Sequence, residues 1–171
     1  MNSTPNIALA RSSDLEEIWH IERLTFPGPD QFSRRQLRSL LRSPNTSIFL
    51  CWIDKICAGY GIALLARLRN GKKKGRIYSI AVLCEQRRKG AGSALLTTME
   101  RHLKQVGAEY ITLETRIGKK GAEGFFRKKG YTRTATLPEY YSSGSAARMR
   151  KDLRTTEMMQ MPYERLGSRR R

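Results

Sequence analysis

The stretch from Arg76 to Gly107 constrains what this chain can fold into more than any other part of it. It begins with a short apolar run, Ile77 to Leu83, whose β-branched residues are typical of a buried strand. Its second half carries apolar residues at helical spacing, namely Leu95, Leu96, Met99, Leu103 and Val106. The pattern predicts a buried strand, a loop and an amphipathic helix in direct succession.

The loop between this strand and helix is basic and contains two glycines, in the order Arg87-Arg88-Lys89-Gly90-Ala91-Gly92. A loop that opens a helix presents unpaired backbone N–H groups and the positive end of the helix dipole to one place. Such a place suits a phosphate, although glycine is also common in loops because it tolerates a positive φ. The loop lacks the Gly-Lys-Ser/Thr ending of a nucleoside triphosphate P-loop and the third glycine of a dinucleotide-binding loop.

The sequence outside this stretch predicts further short strands and helices. A short strand, Ile7 to Ala10, comes first. Two helices follow it, opened by Ser13-x-x-Glu16 and Ser33-x-x-Gln36 as capping boxes. A β-hairpin about Asp54-Lys55 follows, and Arg69 to Gly75, with its run Lys72-Lys73-Lys74, is predicted as a further turn. A strand meander followed by αβ alternation predicts a mixed α/β sheet with helices on both faces.

The loop from Arg87 to Gly92 resembles the R/Q-x-x-G-x-G/A signature of the GNAT superfamily of acetyl-CoA-dependent N-acetyltransferases. Downstream, Leu113 to Arg116 and Gly124 to Tyr131 are similar to the next strand, helix and Gly-aromatic step of that superfamily. Two further segments are similar to those of the RimI-like branch, namely Tyr140-Tyr141 before Gly144 and Ile21-Glu22 upstream. Enzymes of this branch acetylate protein amino groups. The resemblance covers residues 5 to 153.

The resemblance implies a GNAT fold, with a mostly antiparallel sheet of about six to seven strands. It also implies acetyl-CoA as the acetyl donor, without a metal, bound by a bulged strand and by the loop. The residues implied at the donor site are Ile80, Ala81, Val82, Arg87, Arg88, Lys89, Gly90, Ala91, Gly92, Ser93, Lys119 and Phe126. Ile80-Ala81-Val82 is also expected to be core strand, whichever role its backbone has.

Glu114 stands where RimI-like enzymes carry the glutamate that takes a proton from the incoming ammonium. Its strand is otherwise largely apolar, so its carboxylate is expected to be partly desolvated, as suits a general base. The alternative is a salt bridge to Arg116 or to another of the many cations. Glu22 is the second candidate for an acidic substrate cleft. Tyr140 and Tyr141 are candidates for a wall that faces the substrate, or for simple packing.

Three functional positions depart from the family pattern. Phe126 stands where the usual tyrosine protonates the thiolate, and Lys119 replaces an asparagine that contacts the cofactor. Ser145-Ala146-Ala147 stands where an acidic residue is expected. Because thiol pKa values lie near about 8.5, a thiolate is a tolerable leaving group without an acid. The candidate substitutes for the acid are water, Tyr131, Tyr140 and Tyr141.

The charge is the unusual bulk property, since 33 Lys and Arg against 15 Asp and Glu give +18. Such a field attracts polyanions, so nucleic acid or a ribosome is a candidate partner through non-specific charge. The alternative is a basic surface that serves solubility. Part of the excess, Arg169-Arg170-Arg171, ends a basic segment, 154–171, which is predicted to be a docking segment or a disordered tail.

The length of 171 residues and a hydrophobic content of 39% predict one domain, assigned to residues 1–153. No apolar run is long enough to span a bilayer and the first residues do not resemble a signal peptide, so no membrane contact is expected. Cys51, Cys57 and Cys84 lack metal-ligand spacing and are expected as buried thiols of a reducing compartment, the cytoplasm.

The expected activity is acetyl transfer from acetyl-CoA to a protein N-terminal or lysine amino group, by a monomer or a homodimer. One alternative is acetylation of a small amine. The other is a catalytically weakened domain that binds acetyl-CoA and an acidic partner such as RNA, which Phe126 and the +18 charge favour.

Overall fold

The fold is taken from a computed structural model, which describes residues 4–26, 28–118, 121–142 and 144–154. Beyond residue 154 the predicted tail lies outside the described residues. Two 3-10 turns, Ser12–Asp14 and Cys84–Gln86, precede the first and third helices. The other elements are β1 (Asn6–Leu9), α1 (Leu15–Thr25), α2 (Arg34–Arg42), β2 (Thr46–Ile53), β3 (Ile56–Arg67), β4 (Lys73–Val82), α3 (Ala91–Gln105), β5 (Ala108–Arg116), α4 (Ala122–Lys128), β6 (Thr132–Tyr141) and β7 (Gly144–Asp152).

The strands form one seven-stranded sheet in the order β1-β2-β3-β4-β5-β7-β6. Every neighbouring pair is antiparallel except β4 and β5, which are parallel and are joined by the crossover helix α3. The predicted mixed and mostly antiparallel sheet is therefore confirmed. The strand–loop–helix stretch from Arg76 lies at its centre.

Helices cover both faces of this sheet. Successive residues of β2 point to opposite faces, so Phe49 and Cys51 enter a core shared with α3, while Ile48 and Leu50 enter a core shared with α1 and α2. Four of the five residues predicted for the buried face of α3 are buried there, namely Leu95, Leu96, Met99 and Leu103. Val106 caps the helix and is half-buried.

The predicted hairpin turn is confirmed, with Asp54 and Lys55 at φ 47° and 65°. Two consecutive positive φ values are what a two-residue type I′ loop requires. The capping box at Ser33 is also confirmed, because Ser33 Oγ accepts the Gln36 N–H at 3.2 Å and Gln36 Oε1 accepts the Ser33 N–H at 2.8 Å. The one predicted from Ser13 is wrong, since a 3-10 turn holds these residues and α1 begins only at Leu15.

Two further predictions need correction. Lys73 and Lys74 belong to β4 rather than to a turn, because the β3–β4 pairing continues to the Arg67–Lys73 pair. Cys84 is exposed, because it lies in the 3-10 turn after β4. Cys51 and Cys57 are buried as expected, and burial raises their thiol pKa values to about 11 and about 12.

Two searches of the described residues bear on partners. No helix among them is long and apolar enough to cross a membrane. Nor do they contain a group of three or more His, Cys, Asp or Glu side chains placed to hold a metal ion.

Candidate active site

The parallel strands β4 and β5 separate part-way along their length. Their pairing ends at Ile77 and Leu113 within the described residues. At the same point Tyr78 bulges out of register, because Ile77 pairs with Ala63 while Ser79 pairs with Ile62. Beyond the bulge, β4 is bonded to β3 on one side only, which leaves backbone groups on its other side available to a ligand.

The bulge lies just before the three β4 residues that the resemblance assigned to the donor. Ile80, Ala81 and Val82 pair with β3 and with no residue of β5 among those described. Ala81 is buried, and Ile80 and Val82 are half-buried against the core. Their side chains therefore pack in the core, as expected for a core strand, while their backbone borders the gap between β4 and β5.

A cleft of about 400 Å³ occupies this gap. Its walls come from β4, β5, α4, the α1–α2 loop and the end of β6. The charged side chains that line it are Glu22, Asp30 and Glu114, against Arg76 and Arg116. Three carboxylates and two guanidiniums therefore line the cleft, which makes it much less positive than a chain whose net charge is +18. This local balance suits a cationic amine as the second substrate.

The basic loop enters α3 in the way the sequence predicts. Arg88 and Gly90 have φ values of 62° and 85°, and Gly90 is the N-cap residue of α3 with no side chain capping it. The Ala94 N–H donates to the Gly90 carbonyl at 2.9 Å, which is the first helical hydrogen bond. The N–H groups that precede it therefore suit a phosphate, and they belong to Ala91, Gly92 and Ser93.

The basic side chains of the loop are exposed at the end of β4. Arg87 Nε donates to the Val82 carbonyl at 3.2 Å, and Lys89 Nζ donates to Gln86 Oε1 at 3.1 Å. Both contacts tie the loop to the end of the strand while leaving its charge at the surface. Lys119, the other basic residue predicted at the donor, lies outside the described residues.

Glu114 projects from β5 into the cleft, with its side chain only 6% exposed. Arg76 Nε donates to its Oε2 at 2.9 Å, and the ion pair brings Arg76 Nη2 to 2.7 Å from the same oxygen. Arg148 Nε donates to its Oε1 at 3.0 Å. The alternative of a salt bridge is thus realised, although Arg116 pairs with Asp30 instead. Oε1 accepts one hydrogen bond from the described residues, which leaves it a lone pair for a proton.

Tyr140 and Tyr141 lie at the end of β6 and line the cleft. The Tyr140 hydroxyl accepts a hydrogen bond from Arg76 Nη2 at 2.6 Å. The Tyr141 hydroxyl donates to the Glu114 carbonyl at 3.2 Å, and burial raises the Tyr141 pKa to about 12. Both tyrosines are therefore fixed beside Glu114 by polar contacts, which favours a cleft wall over simple packing.

Sequence comparison decides the family. The model of the acetyltransferase (GNAT) family matches residues 15–131, which is more than half of the chain. The chain belongs to the GNAT family. It is therefore an acyltransferase by family. It is 32% identical over 146 residues to an N-alpha-acetyltransferase of Sulfurisphaera tokodaii, and the alignment covers 81% of this chain and 86% of that protein.

Solved structures share the GNAT fold. The ribosomal-protein-S18-alanine N-acetyltransferase of Escherichia coli, a RimI enzyme, has a TM-score of 0.76 at 20% identity, over 89% of this chain and 96% of that one. Arabidopsis thaliana Naa50, solved with the bisubstrate analogue CoA-Ac-MVNAL, has a TM-score of 0.75 at 20% identity, over 86% and 98%. The predicted GNAT fold is confirmed.

Phe126, which the resemblance placed at the position of the usual acid, lines the cleft. Its ring centroid lies 5.1 Å from that of Phe125 and 5.8 Å from that of Tyr131. Tyr131 is 2% exposed, lies outside the cleft lining, and has a pKa that burial raises. Tyr131 is therefore poorly placed to replace the acid, whereas the other two candidate tyrosines, Tyr140 and Tyr141, line the cleft together with Tyr78.

Glu22 reaches the cleft from α1 but is 1% exposed. Its Oε1 accepts the Phe32 N–H at 2.7 Å, and its Oε2 accepts the hydroxyl of the fully buried Tyr60. Burial raises the pKa of this carboxyl from its ordinary 4.5, although both hydrogen bonds act to lower it. Glu22 thus joins α1, the α1–α2 loop and β3, and we expect it to position the cleft wall.

Replacing Glu22 with Ala is expected to lower the free energy of unfolding by about 2–4 kcal/mol, because two buried donors lose their acceptor. Glu22→Gln keeps the shape and is expected to cost less. Since folding raises the Glu22 pKa above 4.5, its stabilising contribution is present below that pH and is lost as the pH rises through the folded value. Urea titrations at several pH values measure this, and an Ala variant as stable as wild type would contradict it.

No sequence pattern predicted the ion pair between Asp30 and Arg116, which line the cleft. Asp30, in the α1–α2 loop, accepts from Arg116 Nη2 at 2.5 Å and from Ser142 Oγ at 2.8 Å, and these contacts lower its pKa. The three residues come from distant parts of the chain. Arg76 was missed as well, although it stands directly before the buried strand.

Proposed function

We propose that this protein transfers the acetyl group of acetyl-CoA to the α-amino group of a peptide or protein N-terminus. The observation that carries the proposal is the cleft at the parting of β4 and β5, which Glu22, Asp30 and Glu114 line. Strand β4, which forms one wall of this cleft, leads on to the loop suited to phosphate. The name of the Sulfurisphaera tokodaii relative and the peptide-bearing analogue bound by Naa50 support this acceptor. A ribosomal protein is one such acceptor, since a RimI enzyme shares the fold.

The donor fits the residues present. The N–H groups that open α3 suit the phosphates of coenzyme A, and the exposed Arg87, Arg88 and Lys89 add positive charge there. The pantetheine arm takes the place that β5 vacates beside Ile80 and Val82, where β4 offers it backbone hydrogen bonds. These donors hold the thioester carbonyl and stabilise the negative charge that develops on its oxygen.

Glu114 is the base of the proposal. Its Oε1 receives a proton from the acceptor ammonium, directly or through one water, while Arg76 and Arg148 hold the carboxylate in place. The neutral amine attacks the thioester carbon, so that a C–N bond forms and the C–S bond breaks. The nitrogen then loses its second proton to water, and coenzyme A, which leaves as a thiolate, takes a proton from the same water. No side-chain acid is needed, because a thiol pKa of about 8.5 lets the thiolate depart unassisted.

The test is coenzyme A release from acetyl-CoA by the full chain, against N-terminal peptides, lysine peptides with blocked N-termini, and small amines. Turnover on the N-terminal peptides alone supports the proposal. Preference for lysine peptides or small amines moves the acceptor to that class. If no acceptor is acetylated although acetyl-CoA binds, the result would instead support a catalytically weakened binding domain, the alternative that Phe126 favours.

Adding a general acid at Phe126 is expected to change little. Phe126→Tyr is predicted to alter kcat by less than about threefold, whereas a missing acid that limited the reaction would be worth about 10²–10⁴. Phe125→Tyr is the matched control, because Phe125 lies next to Phe126 but outside the cleft lining. A rise of 10²-fold in Phe126→Tyr alone, measured by steady-state kinetics, would contradict an unassisted departure of the thiolate.

A cytoplasmic location is part of this proposal. The free thiols of Cys51, Cys57 and Cys84 agree with a reducing compartment.

A further inference from the structure

Helix α2 carries a group of arginines that the proposed reaction does not use. Arg35, Arg38 and Arg42 border an open hollow of about 570 Å³ beside the helix. The other residues that line it are Ser39, Ser43 and Pro44. No acidic residue lines it within the described part of the chain, so every charged side chain that borders the hollow is cationic.

These guanidiniums have no ion pair with any described residue, whereas Arg34 on the same helix pairs with Glu16. A guanidinium presents its donors in a planar fork that matches the oxygens of a phosphate. From Arg35 to Arg42 the helix rises about 10 Å, and the three guanidiniums stand on long side chains along that length. Neighbouring phosphates of one strand can therefore meet all three arginines.

The lining also indicates the kind of partner. A stable protein interface has an apolar or aromatic core, whereas Pro44 is the single apolar residue among the described ones that border this hollow. The same described residues include no aromatic ring on which a base can stack, so binding here contacts the backbone and not the bases. The hydroxyls of Ser39 and Ser43 can exchange hydrogen bonds with a ribose 2′-OH, which favours RNA over DNA.

We infer that the α2 arginine surface, formed by Arg35, Arg38 and Arg42, binds the backbone of RNA without sequence preference. The surface lies outside the acceptor cleft and shares none of its lining. The inference assigns an RNA-binding role to part of the positive charge of a chain whose net charge is +18. The inference is independent of the proposed acetyl transfer, because it concerns RNA affinity alone.

The test is fluorescence anisotropy of a labelled single-stranded RNA of about 20 nucleotides with the full chain, between 50 and 200 mM salt. The site variant is Arg35→Gln/Arg38→Gln/Arg42→Gln. The control, Arg67→Gln/Arg69→Gln/Lys74→Gln, removes the same charge from the β3–β4 hairpin and leaves the basic tail intact. We expect the site variant to lose about tenfold or more in affinity and about two units of salt slope, and the control to lose less than threefold.

Equal losses of RNA affinity in the two variants would overturn the inference, since the net positive charge of the whole protein, and not α2, would then bind the RNA. Equal binding of a DNA of the same sequence would overturn the role of the serines and the choice of RNA. Tighter binding of a polyglutamate peptide than of RNA would assign the surface to an acidic protein. Peptide acetylation and the unfolding midpoint, measured on both variants, show that the fold is intact.

Discussion

Glu114→Gln is expected to lower kcat by about 10²–10⁴ while acetyl-CoA still binds. The amide keeps the size of the side chain and still accepts a hydrogen bond from Arg76, but it cannot take a proton. Because the proposed donor site consists of β4 and the loop before α3, the dissociation constant of acetyl-CoA should change little. Steady-state kinetics on the peptide identified in the acceptor panel, with calorimetry for acetyl-CoA, measure both quantities.

The control for Glu114 separates base catalysis from loss of an ion pair. Glu123→Gln makes the same chemical change on α4, where Glu123 pairs with Arg127 outside the cleft lining, and should leave kcat unaltered. Arg148→Gln removes one partner of Glu114 but keeps the carboxylate, so its kcat should fall less than that of Glu114→Gln. Unchanged turnover in Glu114→Gln would remove Glu114 from the mechanism. If kcat fell equally in Arg148→Gln and Glu114→Gln, Glu114 would have a positioning role and would not be the base.

Gly59→Ala is the second change with a large expected effect. Gly59 lies on β3 opposite Val82, and a Cβ atom there would stand 2.3 Å from the Ala81 carbonyl oxygen. That neighbour is backbone, so β4 itself must move. Overpacking of this kind typically lowers the free energy of unfolding by about 1–3 kcal/mol or more. The displaced segment borders the cleft, so acetyl-CoA should also bind more weakly.

Gly124→Ala is the matched control for Gly59→Ala. Gly124 lies in α4, and a Cβ atom there meets nothing within 4 Å. In a helix the alanine should raise the free energy of unfolding by about 0.5–1 kcal/mol. Urea denaturation and acetyl-CoA titration report on both variants. A Gly59→Ala protein with wild-type stability and wild-type affinity for acetyl-CoA would contradict the prediction. It would show that β4 accommodates the added Cβ atom without loss of stability.

Local signals were sufficient for most elements and for the loop before α3. Apolar periodicity located the helix that contains Leu95 and Met99, and the turn at Asp54-Lys55 followed from the residues between two apolar runs. The capping box at Ser13 failed, because the choice between a 3-10 turn and an α-helix there involves only a few hydrogen bonds. Neighbouring structure decides a difference that small.

The partners of Glu114 show where local signals end. Arg148 faces Glu114 because the register of β5 with β7 places them opposite each other, and Arg76 reaches it from the neighbouring strand. Many arginines in this chain were equally eligible as partners on the basis of sequence. The cysteine prediction failed at Cys84 for a related reason, since exposure depends on what packs over a turn.

The order of apolar, glycine and basic residues determined that this chain forms a strand, a phosphate-suited loop and a helix, because each depends on contacts between residues close in sequence. The tertiary structure alone decided where β4 and β5 part and which charges line the cleft between them. It also decided that Glu22 is buried, that Glu114 lies between two arginines, and that Arg35, Arg38 and Arg42 have no described acidic partner. These outcomes depend on strand register and on groups far apart along the chain, which no local pattern encodes.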